Sequence, residues 1–363
     1  MMDYLSMLSV SLAELVLDAL RPLLRLNMPF HDYVILVLRK AMFAKYDSRL
    51  FFFPFYSVAK SSRNTDGRMI ALIGFLRLLK AQDDPWPLLY STVSVSSLRQ
   101  QQEQQMPVLV LSESLVSPSE IISNISRSLL HQYEVRARLY SSLSDLLNDT
   151  TLFALAQPTL ELLMPQLQKY IGSSNPEAPA APLLLDTCLS MAPSAAEGED
   201  LVKPQEPLSL LLHVVLKALL VQQQLESSAS AESSGGGGGG SSSSGGSGTA
   251  AAMIKTMRHL AVRLAACEPE EFDLDKNGEY VMASASGARN VFAASALLGC
   301  YAAMMDFALQ QDSFSRDSCE TAIALFKKMN LLRGLLASAA SSKGFAAKGL
   351  QSLSFFSLSL SFM

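Results

Sequence analysis

The chain has 363 residues, 49% hydrophobic and 17% charged, with a net charge of −4. This length buries a sizeable core and leaves room for more than one domain, and the charge excludes a global basic field, though not a local basic face. Leu, Ala and Ser dominate while Trp occurs once, which suits helices better than sheets.

The opening MMDYLSMLSV carries Asp3 and no basic run, so it does not read as a signal peptide. A first helix is predicted over 5–26, with Leu8, Leu12, Leu15, Val16 and Ala19 at helical spacing and Pro22 as a kink or restart. Pro29 separates it from a second helix over 31–45, HDYVILVLRKAMFAK. There Val34, Ile35, Leu38, Ala41 and Met42 share one face, Arg39 and Lys40 fall off it, and Lys45 stands at the end.

Residues 46–65, YDSRLFFFPFYSVAKSSRNT, break the pattern. An exposed loop and a translated intron are the leading readings; an edge strand is disfavoured by Pro54. Helical spacing resumes in DGRMIALIGFLRLLK, 66–80, where Leu72, Phe75, Leu76 and Leu79 make an apolar face. Arg77 lies away from it, and Met69 and Lys80 sit at its edge. Two such helices side by side are one unit of a helical repeat.

A mixed connector follows, with DDPWPLLY and the Gln-rich RQQQEQQMP. Ser117-Pro118-Ser119-Glu120 carries a helix-start signature, and helices are expected at 118–132, 134–148 and 151–170. Pro158 and Pro165 should bend or divide the last. Residues 171–207 are rich in Pro, Ala and Ser, with PLLLDTCLSM read as one docked helix. A helix at 208–225 leads into SSASAESSGGGGGGSSSSGGSG, 227–248, a flexible linker that buries too little apolar area to offset its ordering entropy. Helices are predicted at 250–267, 287–310 and 316–338, and the tail from Ser341 alternates Ser with apolar residues. No run of about twenty apolar residues lacks charge, so no membrane span is expected.

Chemical motifs are sparse. Cys188, Cys267, Cys300 and Cys319 form no CxxC, the four His are scattered, and no zinc site, cofactor or other metal site is expected. Asp273, Asp275, Asn277 and Gly278 match the opening positions of a calcium loop, but position 12 is Ser284 rather than a bidentate Glu, so a turn between helices is favoured. There is no GxSxG, HExxH or Walker A, and no catalytic residue is assigned. Arg63, Arg68, Arg77 and Lys80 form one modest basic cluster, and Arg127, Arg136 and Arg138 another; solvated helix faces and DNA or partner contacts are the two readings.

VILVLRKAMFA and IALIGFLRLLK belong to a series of blocks. Upstream stands ALRPLLRLNMPFHDY (19–33); downstream come VRARLYSSLSDLL (135–147), QEPLSLLL (205–212), EFDLDKNGEY (271–280) and SFSRDSCETAIALF (313–326). In this order they resemble the central region of the Fanconi anaemia group I family. The resemblance implies an all-α chain, an α-solenoid or helical-repeat array with a disordered Gly/Ser linker. It implies the end of a second solenoid over 1–81, with 46–65 inserted, a connector over 82–112, and a second helical domain over 113–338. The linker 227–248 interrupts that domain, and 339–363 no longer resembles the family.

The function implied is a non-enzymatic nuclear scaffold in interstrand crosslink repair. Its partners would be a group D2 homologue, branched or double-stranded DNA, and the ubiquitin ligase core complex. A generic α-solenoid adaptor in transport or assembly is the alternative. The family carries a ubiquitin-acceptor Lys directly after an Arg. Here that position falls on Met69, after Arg68, or on Leu50, after Arg49, and neither is Lys. Lys45 and Lys60 are the nearest substitutes. The Ser-Gln sites that follow in the family are missing from STVSVSS, 91–97.

Overall fold

The computed structural model describes residues 8–26, 28–43, 65–78, 122, 125–172, 181–193, 200–233, 247–275, 277–280, 282, 284–311 and 315–341. The chain divides into two compact units, Met1–Leu152 and Phe153–Met363. The fold is all-α, of α-solenoid type.

In the first unit α1 (Val10–Leu26) packs on α2 (Met28–Phe43). Ala13 and Leu17 on α1, and Val34, Ile35 and Leu38 on α2, are buried, as the spacing predicts. Pro22 restarts no helix, and Pro29 separates none. α1 runs through Pro22 to Leu26, and Pro29 lies inside the first turn of α2 rather than between the helices. A first-turn proline lacks only an N–H that has no intrahelical partner.

Helix α3 (65–78) corrects the expectation of a single apolar face. Ile70, Ala71, Leu72, Ile73, Phe75, Leu76 and Leu78 are all buried, so the helix is covered on every side. From Met69 to Leu76 there is no polar side chain, and a helix apolar all round must be interior. Gly74 makes this possible: a Cβ there would stand 2.6 Å from both methyl carbons of Leu38, so α2 and α3 approach closely at this point. A 3-10 turn over Arg127–Leu130 stands where the end of a helix over 118–132 is predicted. Helix α4 (Tyr133–Leu146) follows, with Val135, Leu139, Tyr140, Leu143 and Leu146 buried at three- and four-residue spacing.

In the second unit the expected division of 151–170 at Pro158 or Pro165 is not found; the break falls before both, at Leu155. A 3-10 segment, Thr150–Leu155, precedes α5 (Ala156–Gln168), which has Pro158 in its first turn and Pro165 in its interior. Beyond α5 the chain folds back on itself: Gly172 donates to the carbonyl of Pro182, and a Cβ at Gly172 would stand 1.9 Å from the carbonyl oxygen of Ala181.

PLLLDTCLSM is not a docked helix. Leu185–Cys188 is a 3-10 turn, and β1 (Leu189–Pro193) pairs antiparallel with β2 (Asp200–Pro204), Met191 opposite Val202 and Ser190 opposite Lys203. Val202 is buried and Lys203 exposed, the alternation a half-buried strand requires. Pro193 and Pro204 close the strands. Glu206, just past β2, is 3% exposed. Its Oε2 accepts from Gln166 Nε2 at 2.8 Å and from the Tyr170 hydroxyl at 3.1 Å, which ties the hairpin exit to the end of α5.

Four long helices complete this unit: α6 (Leu208–Ser233), α7 (Ser247–Ala266), α8 (Ala285–Gln311) and α9 (Arg316–Ser341). α8 packs on α6 and α9, α6 on α5, and α7 on α6, α8 and α9. α6 and α8 are each long and apolar enough to cross a bilayer. Both are core helices: Leu211, Leu212, Val214 and Leu219 on one, and Ala294, Leu297, Tyr301 and Met304 on the other, are fully buried. Burying each of the larger of these side chains contributes roughly 1.5–3 kcal/mol. The linker expected over 227–248 is helical at both its ends, and 234–246 lies outside the described residues. α6 continues to Ser233, with Ser227 and Ser228 hydroxyls donating to the Gln224 carbonyl, and α7 begins at Ser247.

Candidate functional site

Arg68 and Arg77 stand at opposite ends of the buried helix α3. Nine residues of α-helix separate them by roughly 14 Å along the axis and about half a revolution around it. They are not brought together. Arg68 Nη1 donates to Gln132 Oε1 at 3.0 Å, at the start of α4. Arg77 Nη2 meets Glu14 Oε1 and Asp18 Oδ2, both at 3.1 Å, on α1. Arg138 of α4 reaches the same Glu14. The first of the two expected basic clusters is thus divided, because a helix apolar on every side carries its charges outward at its two ends. Arg63 and Lys80 lie outside the described residues, as do Lys45, Leu50 and Lys60.

An open cleft of about 130 Å³ adjoins the Glu14 network, lined by Arg77, Arg138, Ser142 and Asp145 over Ile73 and Leu76. Its two guanidinium groups already face carboxylates. Met69 is half-buried beside Arg68, with a thioether where the resemblance places an amine. His131, immediately before Gln132, has a buried Nε2 without a hydrogen bond. Burial, and then the Arg68 charge, hold its pKa below the ordinary value of 6.5.

In the second unit the described residues of 273–284 lie in turns rather than in a helix or strand. Glu268 and Glu271 make a capping box on a 3-10 turn, Pro269–Phe272, and Asp273 follows with φ of 56°. Asp275 Oδ1 accepts from the Asn277 N–H at 3.2 Å, and its carbonyl accepts from the Tyr280 hydroxyl at 2.9 Å. Ser284 caps α8 by accepting from the Gly287 N–H at 3.0 Å. Arg289 binds Asp186 at 2.6 Å and Asp273 at 3.4 Å. These groups are occupied in holding the turn to α8. Among the described residues no three of His, Cys, Asp and Glu gather as a metal-binding group.

Burial raises the pKa of two of the thiols, Cys267 and Cys300, rather than activating them. Cys188 and Cys300 are buried, and burial raises Cys300 far above the usual thiol range. Burial, followed by a hydrogen bond to Glu271, pushes Cys267 up to about 11. A nucleophilic cysteine requires the opposite shift.

A surface that the sequence motifs do not single out lies on α7. Lys255, Arg258 and His259 are exposed there, and the helix contains no Asp or Glu. The signal is legible in IKTMRHLAVR, ten residues with four basic side chains and no acid.

The pattern of FANCI helical domain 2 matches residues 90–336, and that of FANCI solenoid 2 matches residues 1–51. The chain is 27% identical over 328 residues to the Fanconi anemia group I protein homolog of Mus musculus, covering 89% of this chain. It is 26% identical over 339 residues to the Fanconi anemia group I protein of Gallus gallus, covering 92%. The chain spans 22% of the length of each relative.

Proposed function

The chain belongs to the Fanconi anaemia group I family, and from that membership we propose that it is a non-enzymatic scaffold of interstrand crosslink repair. It works in the nucleus, pairing with a group D2 homologue and DNA and meeting the ubiquitin ligase core complex. The observation that carries this reading is the helical domain 2 match across 90–336, running through both described units. A scaffold of this kind acts through extended helical faces, since stacked repeats contact their neighbours and present long surfaces to partners.

Within this reading the domains follow the family: 1–81 as the end of solenoid 2, 82–112 as connector and 113–338 as helical domain 2. Co-purification with a group D2 homologue from the same source tests the pairing. Recovery of a stoichiometric complex supports the scaffold. Recovery of the chain with transport or assembly factors, and none with the D2 homologue, favours the general adaptor instead.

A further inference from the structure

Helix α7 divides cleanly into two faces. Ile254, Met257, Leu260, Ala261 and Leu264 are buried, whereas Ala251, Ala252, Lys255, Thr256, Arg258, His259 and Val262 are exposed. The cations therefore gather outward. Lys255 lies about one turn, ~5.4 Å of rise, from Arg258 and His259. The helix itself carries no carboxylate. Among the described residues Lys255 and His259 have no hydrogen bond or ion pair. Arg258 Nε donates to Gln311 Oε1 at 2.5 Å, which anchors the base of its guanidinium against the end of α8. In a chain of net charge −4 every charged side chain of this helix is basic.

We propose that the outward face of α7 contacts the phosphate backbone of duplex DNA, with Lys255 and Arg258 as the phosphate contacts. This rests on the crosslink-repair reading above and adds to it the surface and the residues. The make-up of the face favours a backbone over a protein. Protein interfaces are anchored by aromatic or arginine side chains seated in dry pockets. Here the exposed apolar side chain is Val262, and the small residues Ala251, Ala252 and Thr256 let a flat, charged rod come close. Neutralising phosphates needs clustered cations and little else.

The test is fluorescence anisotropy of a labelled duplex with the full 363-residue chain across a salt series from about 50 to 200 mM. The wild type binds, with affinity falling as salt rises. The double variant Lys255→Ala/Arg258→Gln binds several-fold more weakly, and its salt slope falls by about 2, close to one per lost phosphate contact. Lys255→Ala alone, at an exposed position with no internal partner, gives about half that change without touching the Gln311 bond. Lys203→Ala, on the hairpin, leaves both quantities unchanged. If the wild type binds and the α7 variants match it in affinity and slope, the α7 assignment is wrong and the DNA reading stands. If the wild type binds no duplex, both fall together. If a poly-glutamate peptide or a phosphatidylserine vesicle binds α7 and DNA does not displace it, the partner is of another class and the proposal is overturned.

Discussion

Glu14 and Arg138 are 124 positions apart in the chain, yet Nη2 of Arg138 lies 3.2 and 3.1 Å from the two carboxylate oxygens of Glu14. Arg77 reaches the same carboxylate at 3.1 Å, so one acidic side chain on α1 fastens both α3 and α4. The pairs are partly solvated, and ion pairs of this exposure contribute about 1 kcal/mol or less each. Glu14→Gln should therefore loosen α1 by about 1 kcal/mol, read as faster hydrogen exchange over 10–26. A cycle of Glu14→Gln with Arg138→Gln should show coupling, and a cycle with Arg68→Gln none, since Arg68 bonds Gln132 instead.

His131 makes this unit sensitive to acid. Its folded-state pKa lies below 6.5, chiefly through burial and secondarily through Arg68. Above 6.5 both folded and unfolded states are neutral and the stability is fully present. As pH falls below 6.5 the unfolded chain takes up a proton that the folded chain resists. Stability then declines until the folded pKa is passed, and levels off below it. His131→Gln should flatten this decline. Hydrogen exchange over 125–147, measured from pH 7.5 down to 5 with correction for the intrinsic rate, checks it; an unchanged pH dependence would remove His131 as the cause.

Two buried tyrosines should answer oppositely to loss of the hydroxyl. The Tyr170 hydroxyl donates to Glu206, a carboxylate 3% exposed, so Tyr170→Phe should cost about 1.5–3 kcal/mol. The Tyr301 hydroxyl is fully buried with no hydrogen-bond partner, so Tyr301→Phe should be neutral or stabilising. Denaturant midpoints of the two variants decide the matter, and a large loss in Tyr301→Phe would show that its hydroxyl is satisfied in solution.

Which features can be read from the sequence depends on how local their cause is. The buried face of α2, Val34, Ile35 and Leu38, follows from spacing within one helix, and so do the faces of α4. The burial of α3 is also local, but its signal is the unbroken apolar run from Met69 to Leu76 rather than a periodicity. The hairpin was obscured because a short apolar run before a strand resembles a short helix; Pro193 and Pro204 are the marks that separate the two. The partners of Arg77 were illegible: Glu14 lies 63 positions away, and no pattern in either segment names the other. The α7 face lies between, readable from an absence of acids but separable from the core side only once burial is known.

The last prediction concerns modification. In the placement around Arg68, the acceptor position that the family resemblance implies is occupied by Met69, half-buried near the N-terminal end of α3. An isopeptide bond needs an amine, and a thioether has none. No other lysine on the described part of α3 stands in for it, since 65–78 contains none. The wild-type chain should therefore carry no ubiquitin on α3 when incubated with its cognate ligase and a group D2 homologue. Met69→Lys should create an acceptor there, because a lysine stem can lie along the half-buried edge while its ammonium reaches solvent. Peptide mass spectrometry of both chains reads the result. Modification of Met69→Lys but not of the wild type would show that the ligase still recognises this helix and that the acceptor alone is missing. A ubiquitin remnant on Lys45 or Lys60 of the wild type would show instead that the acceptor has moved to a neighbouring segment. Failure to modify either chain, with the D2 homologue modified in the same reaction, would remove α3 as the place where the ligase acts.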